Sequence, residues 1–261
     1  LKHFNKKNLN LYIRSIKGIE KSGIELKRLK ARIKAEEDIM TLSNFNIELP
    51  GSSFSSDSII IKNAGTLRSM AIDGELRCNN LSLNDFSPIL PKAFCNLPVL
   101  SFDICGHVDS TILVGDMIFE AKNHTLALEC TANIVAPFDK SRKIEITFNR
   151  LNAKEKAIGR IVSFFKDAPE DITKKLGDTD IDGKLTISMD SITGHANIHS
   201  TNGSLNAALS ADSKGRYNIS AMGTAINLGN ITGQEHFSTC NIQGSAEGNI
   251  NTLSNFNIEL S

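Results

Sequence analysis

The chain has 261 residues, with 29 Lys and Arg balancing 29 Asp and Glu, no Trp, two Tyr, 13 Phe and 18 Gly. Zero formal charge and a pI near 7.2 argue against a nucleic-acid binder, which advertises itself with a basic excess. Hydrophobic content of 40% is enough to build a core and excludes wholesale disorder, and the length suits one large or two ordinary domains.

From residue 9 onward, apolar and polar residues alternate with a period of two, interrupted by clusters of Gly, Asn, Asp and Ser. The alternation predicts strands at Leu9–Ile16, Ile24–Ala35, Ile39–Leu49, Ser58–Lys62, Thr66–Leu83, Val99–Asp109, Thr111–Ala121, Thr125–Ile134 and Ile144–Phe148. They resume at Asp180–Met189, Ser191–Ser200, Ser204–Ala211, Arg216–Met222, Thr224–Leu228, Thr239–Gly244 and Asn249–Leu260. Short links such as Glu36–Asp38, Thr201–Gly203 and Ser213–Gly215 are hairpin connections, so an antiparallel meander is expected.

Two stretches depart from the period. Asp85–Leu97, with Pro88, Pro91, Phe86 and Phe94, reads as a loop with a short helix. Over Asn152–Gly177, Ile158, Ile161, Val162 and Phe165 follow the spacing of one helical stripe. Asn152 is the expected cap, Pro169 a second start and Gly177 the stop. The expected organisation is a first β segment over 1–151, a helical insertion over 152–177 and a second β segment over 178–261.

Nine residues, TLSNFNIEL, occur twice without change, at Thr41–Leu49 and Thr252–Leu260. The reading is either reuse of a strand-forming unit or an accidental duplication, and in both cases the text is that of a strand. Phe45, Ile47 and Leu49, like Phe256, Ile258 and Leu260, fall on one face of it. The chain opens on Leu1 rather than Met and is expected to be an internal piece, without signal peptide or long apolar run.

Chemistry-bearing motifs are sparse. Cys78, Cys95, Cys105, Cys130 and Cys240 show no CxxC spacing, and Cys105 and Cys130 read as small hydrophobes on apolar faces. Asp178-Thr-Asp180-Ile-Asp182-Gly183 opens like a calcium loop, but position 12 is Met189 where a bidentate Glu is needed, and the text between alternates like a strand. His195 and His199, four apart on a strand, would lie about 13 Å apart, too far for one zinc. No GxSxG, HExxH, P-loop or dinucleotide motif is present, and a glycan-acting enzyme would need two converging acids that the sequence does not offer. Neither an enzyme, a metal nor a cofactor is expected. The basic text at the start, including KRLKARIK over 27–34, reads as charge protection of sheet edges, with anionic-lipid binding as the alternative.

So many half-apolar strands present more greasy surface than two dozen helical residues can cover. The sheet either folds on itself as a sandwich, barrel or solenoid, serving scaffolding or adhesion, or it curls into a trough whose lining stays available. The stretch EKSGIELKRLKARIKAEEDIMTLSNFNIELPGSSF resembles the paired strands of the AsmA-like superfamily. The later order IDGKLTISMDSITGHANIHSTNGSLNAALS, GRYNISAMGTAINLGNITGQ and CNIQGSAEGNI, with Leu176-Gly177, Thr201-Asn202-Gly203, Tyr217 and Leu228-Gly229, is similar to the TamB family of translocation and assembly proteins.

The resemblance covers most of residues 10–250. It implies a mainly β, elongated antiparallel sheet curled into a trough (a β-taco), with helices only around 85–97 and 152–176. It also implies a periplasmic place, an inner-membrane anchor outside this chain, phospholipid acyl chains as cargo and an outer-membrane barrel partner reached through regions outside this chain. The groove lining expected from the apolar faces is Phe45, Ile47, Leu49, Leu81, Leu83, Leu100, Phe102, Ile104, Leu126, Leu128, Ile144, Ile146, Phe148, Leu185, Ile187, Leu205, Leu209 and Ile219.

Overall fold

The structure, a computed structural model, describes residues 8–64, 69–91, 97–162, 177–234, 236–249 and 252–261. It is mainly β: fifteen strands lie in one sheet in chain order, so that the first and last strands have one neighbour each and the sheet is not closed into a barrel. They are β1 (Leu9–Ile19), β2 (Glu25–Glu36), β3 (Ile39–Glu48), β4 (Ser53–Lys62), β5 (Ala71–Leu81), β6 (Leu100–Val108), β7 (Ile112–Ala121) and β8 (Leu126–Val135). There follow β9 (Lys143–Ala153), β10 (Thr179–Ile187), β11 (Ser191–Ser200), β12 (Gly203–Asp212), β13 (Arg216–Asn227), β14 (Thr239–Asn249) and β15 (Thr252–Leu260). Among the described residues the α-helices are short: α1 (Glu155–Val162) and α2 (Leu228–Thr232).

The expected meander holds, with instructive departures. β4 begins at Ser53, ahead of the predicted Ser58, because the Ser-rich text of low strand propensity is paired on both sides. The two strands predicted at Arg216–Met222 and Thr224–Leu228 are one. Ala225 at φ 52° sits in a bulge between Gly223 and Ile226, and pairing with β14 resumes beyond it. Leu228 leaves the strand to open α2, where the Asn227 side chain accepts from the Asn230 N–H at 3.0 Å.

Asn152 is not a cap: it lies in β9, and the Asp178 carboxylate accepts from the Glu155 N–H at 3.0 Å instead, a capping contact the local text could not show. Of the predicted helical stripe, Ile158 is half-buried, while Phe165, Pro169 and the rest of 163–176 lie outside the described residues. At the start of 85–97 a 3-10 turn over Leu83–Phe86 overlaps the predicted short helix, and 92–96 lie outside the described residues.

Two compact units divide the chain: one of Leu1–His124 with Asn133–Phe138, the other of Thr125–Ala132 with Asp139–Ser261. In each, direct antiparallel partners share a face, so the register assigns every side chain to one side. In the second unit the row Ile146, Leu185, Gly194, Leu209, Ile219, Ala246, Phe256 crosses seven strands without a polar residue. The row one residue over, Glu145, Thr186, Thr193, Ser210, Asn218, Glu247, Asn255, is polar throughout. In the first unit Ile47, Phe54, Cys78, Phe102 and Phe119 form the matching apolar row from β3 to β7.

Bulges keep this parity. In β3 the register shifts where Asn44 takes φ 51°, which returns Leu42 and Phe45, three apart, to one face. The identical text of β15 shifts at nearly the same place, leaving Leu253 opposite Gly248 and Phe256 opposite Ala246.

Ser56 is 3% exposed on the apolar side opposite Phe45, and its hydroxyl has no hydrogen-bond partner. Leaving such a donor dry is costly, so Ser56→Ala should raise stability by about 1 kcal/mol, read as a higher urea midpoint with unchanged slope. A Cβ at Gly183 would meet the His195 carbonyl oxygen. Gly183→Ala should therefore cost about 1–3 kcal/mol in the same measurement.

Candidate functional site

The candidate site is the apolar face within each unit. In the first unit, Phe45 and Ile47 of β3, Leu81 of β5 and Leu100, Phe102 and Ile104 of β6 come together on it, with Leu81 directly opposite Leu100. The Phe54 and Phe102 rings pack at a tilt, 6.1 Å between centroids. In the second unit Ile144, Ile146, Phe148, Leu185, Ile187, Leu205, Leu209 and Ile219 share one face. Leu126 and Leu128 lie on one side of β8, next in order to β9.

Leu49 and Leu83 do not join these strands. Leu49 follows β3, where its N–H donates to the Ser52 carbonyl at 2.8 Å, and Leu83 opens the 3-10 turn. The expected lining omits Phe54, Cys78 and Phe119, which complete the row around Phe102. Strand pairing, not local pattern, brings them there. Cys105 is a correction: it lies opposite Asp116 on the polar side and is exposed, since Phe102 and Ile104 hold the apolar parity of β6.

The depth of burial is what sets this face apart from a core. Among the described residues the buried apolar side chains are Ala31, Cys78, Leu100, Ala121, Cys130, Ala153 and Ala157, of which Leu100 alone is a large aliphatic. Most other large residues of the face are half-buried, Ile104, Leu209 and Ile219 are each 41% exposed, and Phe256 at the last strand is 69% exposed. Their flanks are supported by neighbours in the sheet, but their tips are not covered.

The face also has relief. Gly183, Ala196, Ala207, Ala221 and Gly244 form one row across β10–β14, between the Leu185–Leu209 row and the row of Ile181, Ile198, Leu205 and Ile242. In the first unit Gly74, Gly106 and Gly115 repeat the motif between Ile72–Val108 and Leu76–Ile104. Small residues flanked by branched ones make a shallow furrow crossing the strands.

Charged groups keep to the opposite side. Lys184 pairs with Glu145 at 3.1 Å, Lys143 adds a second contact at 2.7 Å, and these ammonium groups hold the Glu145 carboxyl below its ordinary range. The three acids of the calcium-like string are spread along the start of β10. Asp178 pairs with Lys154 at 2.8 Å, Asp180 accepts from Asn152 at 2.8 Å and Asp182 from Asn197 at 2.7 Å. His195 and His199 lie on the same polar side of β11, and His199 Nδ1 is 2.9 Å from the Ser204 hydroxyl.

Surface hollows among the described residues include two of some size. One of about 640 Å³ adjoins the ends of β1–β3. The other, of about 370 Å³, spans β11–β15 and is lined by the polar-side residues His195, Asn206, Gln243 and Asn257 together with Ala207, Ala221 and Gly244. Among the described residues no helix is long and apolar enough to cross a membrane. No family model and no curated protein matches the sequence, and no solved structure matches the fold.

At the β6–β7 turn, His107 sits between two acids, Nδ1 at 2.5 Å from Asp73 and Nε2 at 3.3 Å from Asp109. The Asp73 carboxylate, then Asp109, raises the His107 pKa. The Thr111 hydroxyl, with backbone N–H groups of Ile112 and Thr111, depresses Asp109 far below the usual carboxylate range. The histidine contribution to stability is therefore complete below its unfolded value of about 6.5 and is lost as pH rises through the higher folded value. That of Asp109 is present above the ordinary carboxylate value and is lost as pH falls through the depressed one. An NMR titration should find His107 above about 6.5 in the folded protein, and Asp73→Asn should bring it down.

Proposed function

We propose that this chain is a segment of a TamB-like conduit, a sheet curled into a trough that carries phospholipids across the periplasm between inner and outer membranes and supports outer-membrane assembly. It performs no covalent chemistry. The observation that carries the reading is the unsealed apolar face: whole rows of Leu, Ile and Phe align by register, yet Leu100 is the one large aliphatic that is buried among the described residues.

The physical case is a matter of magnitudes. Each acyl CH₂ removed from water is worth about 0.8 kcal/mol, so a sixteen-carbon chain leaving a membrane faces about 12 kcal/mol. An apolar stripe removes most of that barrier at every point along it, while the headgroup stays in water. A furrow floored by Gly183, Ala196, Ala207, Ala221 and Gly244 offers a track for a methylene chain without a closed pocket. Because the furrow crosses the strands, movement along it passes from one strand to the next.

The competing reading, a self-packed sandwich or solenoid used for scaffolding or adhesion, needs this face to be covered. The half-exposed tips of Ile104, Leu209 and Ile219 favour the open reading. Phospholipid extracted from the purified protein and identified by mass spectrometry is the direct test. The parent should carry lipid, whereas Leu126→Asp and Ile187→Arg should lose about tenfold or more of it, because a charge in the acyl path is strongly disfavoured. Both variants should keep the parent's far-ultraviolet circular dichroism, and lipid content unchanged in both would overturn the conduit.

A further inference from the structure

Formal charge is zero over the chain but not uniform along it. Residues 8–36 hold eight Lys or Arg (Arg14, Lys17, Lys21, Lys27, Arg28, Lys30, Arg32 and Lys34) against Glu20, Glu25 and Glu36, a net of +5. Protection of a sheet edge accounts for charges on β1, which has one neighbour. It does not account for Lys30, Arg32 and Lys34, because β2 is paired on both sides, to β1 and to β3. Ion pairing accounts for few of them: Arg28 reaches Glu48 at 3.8 Å and Lys34 reaches Glu36 at 2.8 Å. Among the described residues Lys17, Lys27 and Lys30 have no carboxylate within ion-pair distance.

The cations are arranged with apolar and interfacial groups. Tyr12, 51% exposed, is directly opposite Arg32, and Lys30 is opposite Asn46 on the same polar side. Where the β1–β2 register shifts twice, a hollow of about 640 Å³ opens between Lys17, Lys27 and Arg28, with Ile19 at its rim 75% exposed. A Cβ at Gly18 would touch nothing, so the floor there has room to spare.

We infer that the β1–β2 face docks on an anionic membrane surface, its lysines and arginines meeting lipid phosphates while Tyr12 and Ile19 enter the headgroup region. Cations attract an anionic leaflet individually and additively, and an exposed Tyr and Ile beside them suit an interface that is part water and part hydrocarbon. A single-stranded nucleic acid would want several aromatic platforms along the groove, and among the described residues of β1 and β2 Tyr12 is the one aromatic. The inference extends the lipid reading by naming where a membrane is met, but its observations do not depend on acyl chains occupying the apolar face.

Vesicle flotation of the intact chain tests it. The protein should float with phosphatidylcholine vesicles containing phosphatidylglycerol and not with phosphatidylcholine alone. Binding should vanish near 0.5 M salt, where screening extends only about 4 Å. Each neutralised cation should lower the partition about fivefold, so Lys17→Gln, Lys27→Gln and Lys30→Gln together should lower it about a hundredfold. Lys184→Gln in the second unit should leave it unchanged. Equal flotation with neutral vesicles, salt-insensitive binding, or retention of a single-stranded RNA probe in place of anionic vesicles would overturn the inference, and the salt series does so without any variant. Ile187→Arg separates the two readings, since it should abolish lipid carriage and leave flotation intact.

Discussion

The parity of the β-ladder governs this protein. Side chains alternate across a strand with a period of two, and a hairpin that pairs residues directly passes that parity to the next strand. A one-residue slip anywhere would send every apolar group beyond it to water. The chain meets this constraint strand by strand, and where the count fails it inserts a bulge. Asn44, Ala225 and the shift opposite Gly248 are such corrections, and each returns the row to its side. Within each unit the consequence is one apolar and one polar surface, made by backbone pairing and not by a packed interior.

That origin explains why stability has to be sought in unusual places. With Leu100 the one large aliphatic buried among the described residues, hydrophobic burial is spread thinly over many half-covered side chains. The rest falls to ladder hydrogen bonds, to cross-strand contacts such as Phe54 with Phe102, and to side chains that tie off turns. Asp109, Asp139 and Asp212 each accept from backbone N–H groups two to four residues ahead, pinning three connections. Close glycine pairs such as Gly106 with Gly115 let neighbouring backbones sit where a side chain would intrude.

Much of the fold is legible in the sequence because period-two alternation is a direct imprint of a half-covered strand. The meander, most strand positions and the shared face of Ile144, Ile146, Phe148, Leu185 and Ile187 follow from it. What escapes has a physical cause in each case. Ser53–Asp57 carries little strand propensity and is held by its partners, so Phe54 is invisible to local pattern. The bulge at Ala225 mimics a strand break in sequence. Asp178 caps α1 from 23 residues away, a contact no local window contains. Apolar neighbours suggest an apolar side for Cys105, yet the parity of Phe102 and Ile104 puts it on the other. The basic segment looks like an edge until the partners of β2 on both flanks are known.

If TLSNFNIEL is a reused unit, its two copies bear on how such a sheet grows. The same text serves as β3 between two partners and as β15 at the end of the order, with its Phe and Ile on the apolar side in both settings. A strand indifferent to its rank is an interchangeable part. Duplicating a hairpin adds an even number of strands and so preserves which side is greasy, whereas adding a lone strand would reverse its direction for everything downstream. Such a sheet can lengthen over evolutionary time in steps of about 9.6 Å, two strand spacings, acting as a ruler whose span is set by copy number.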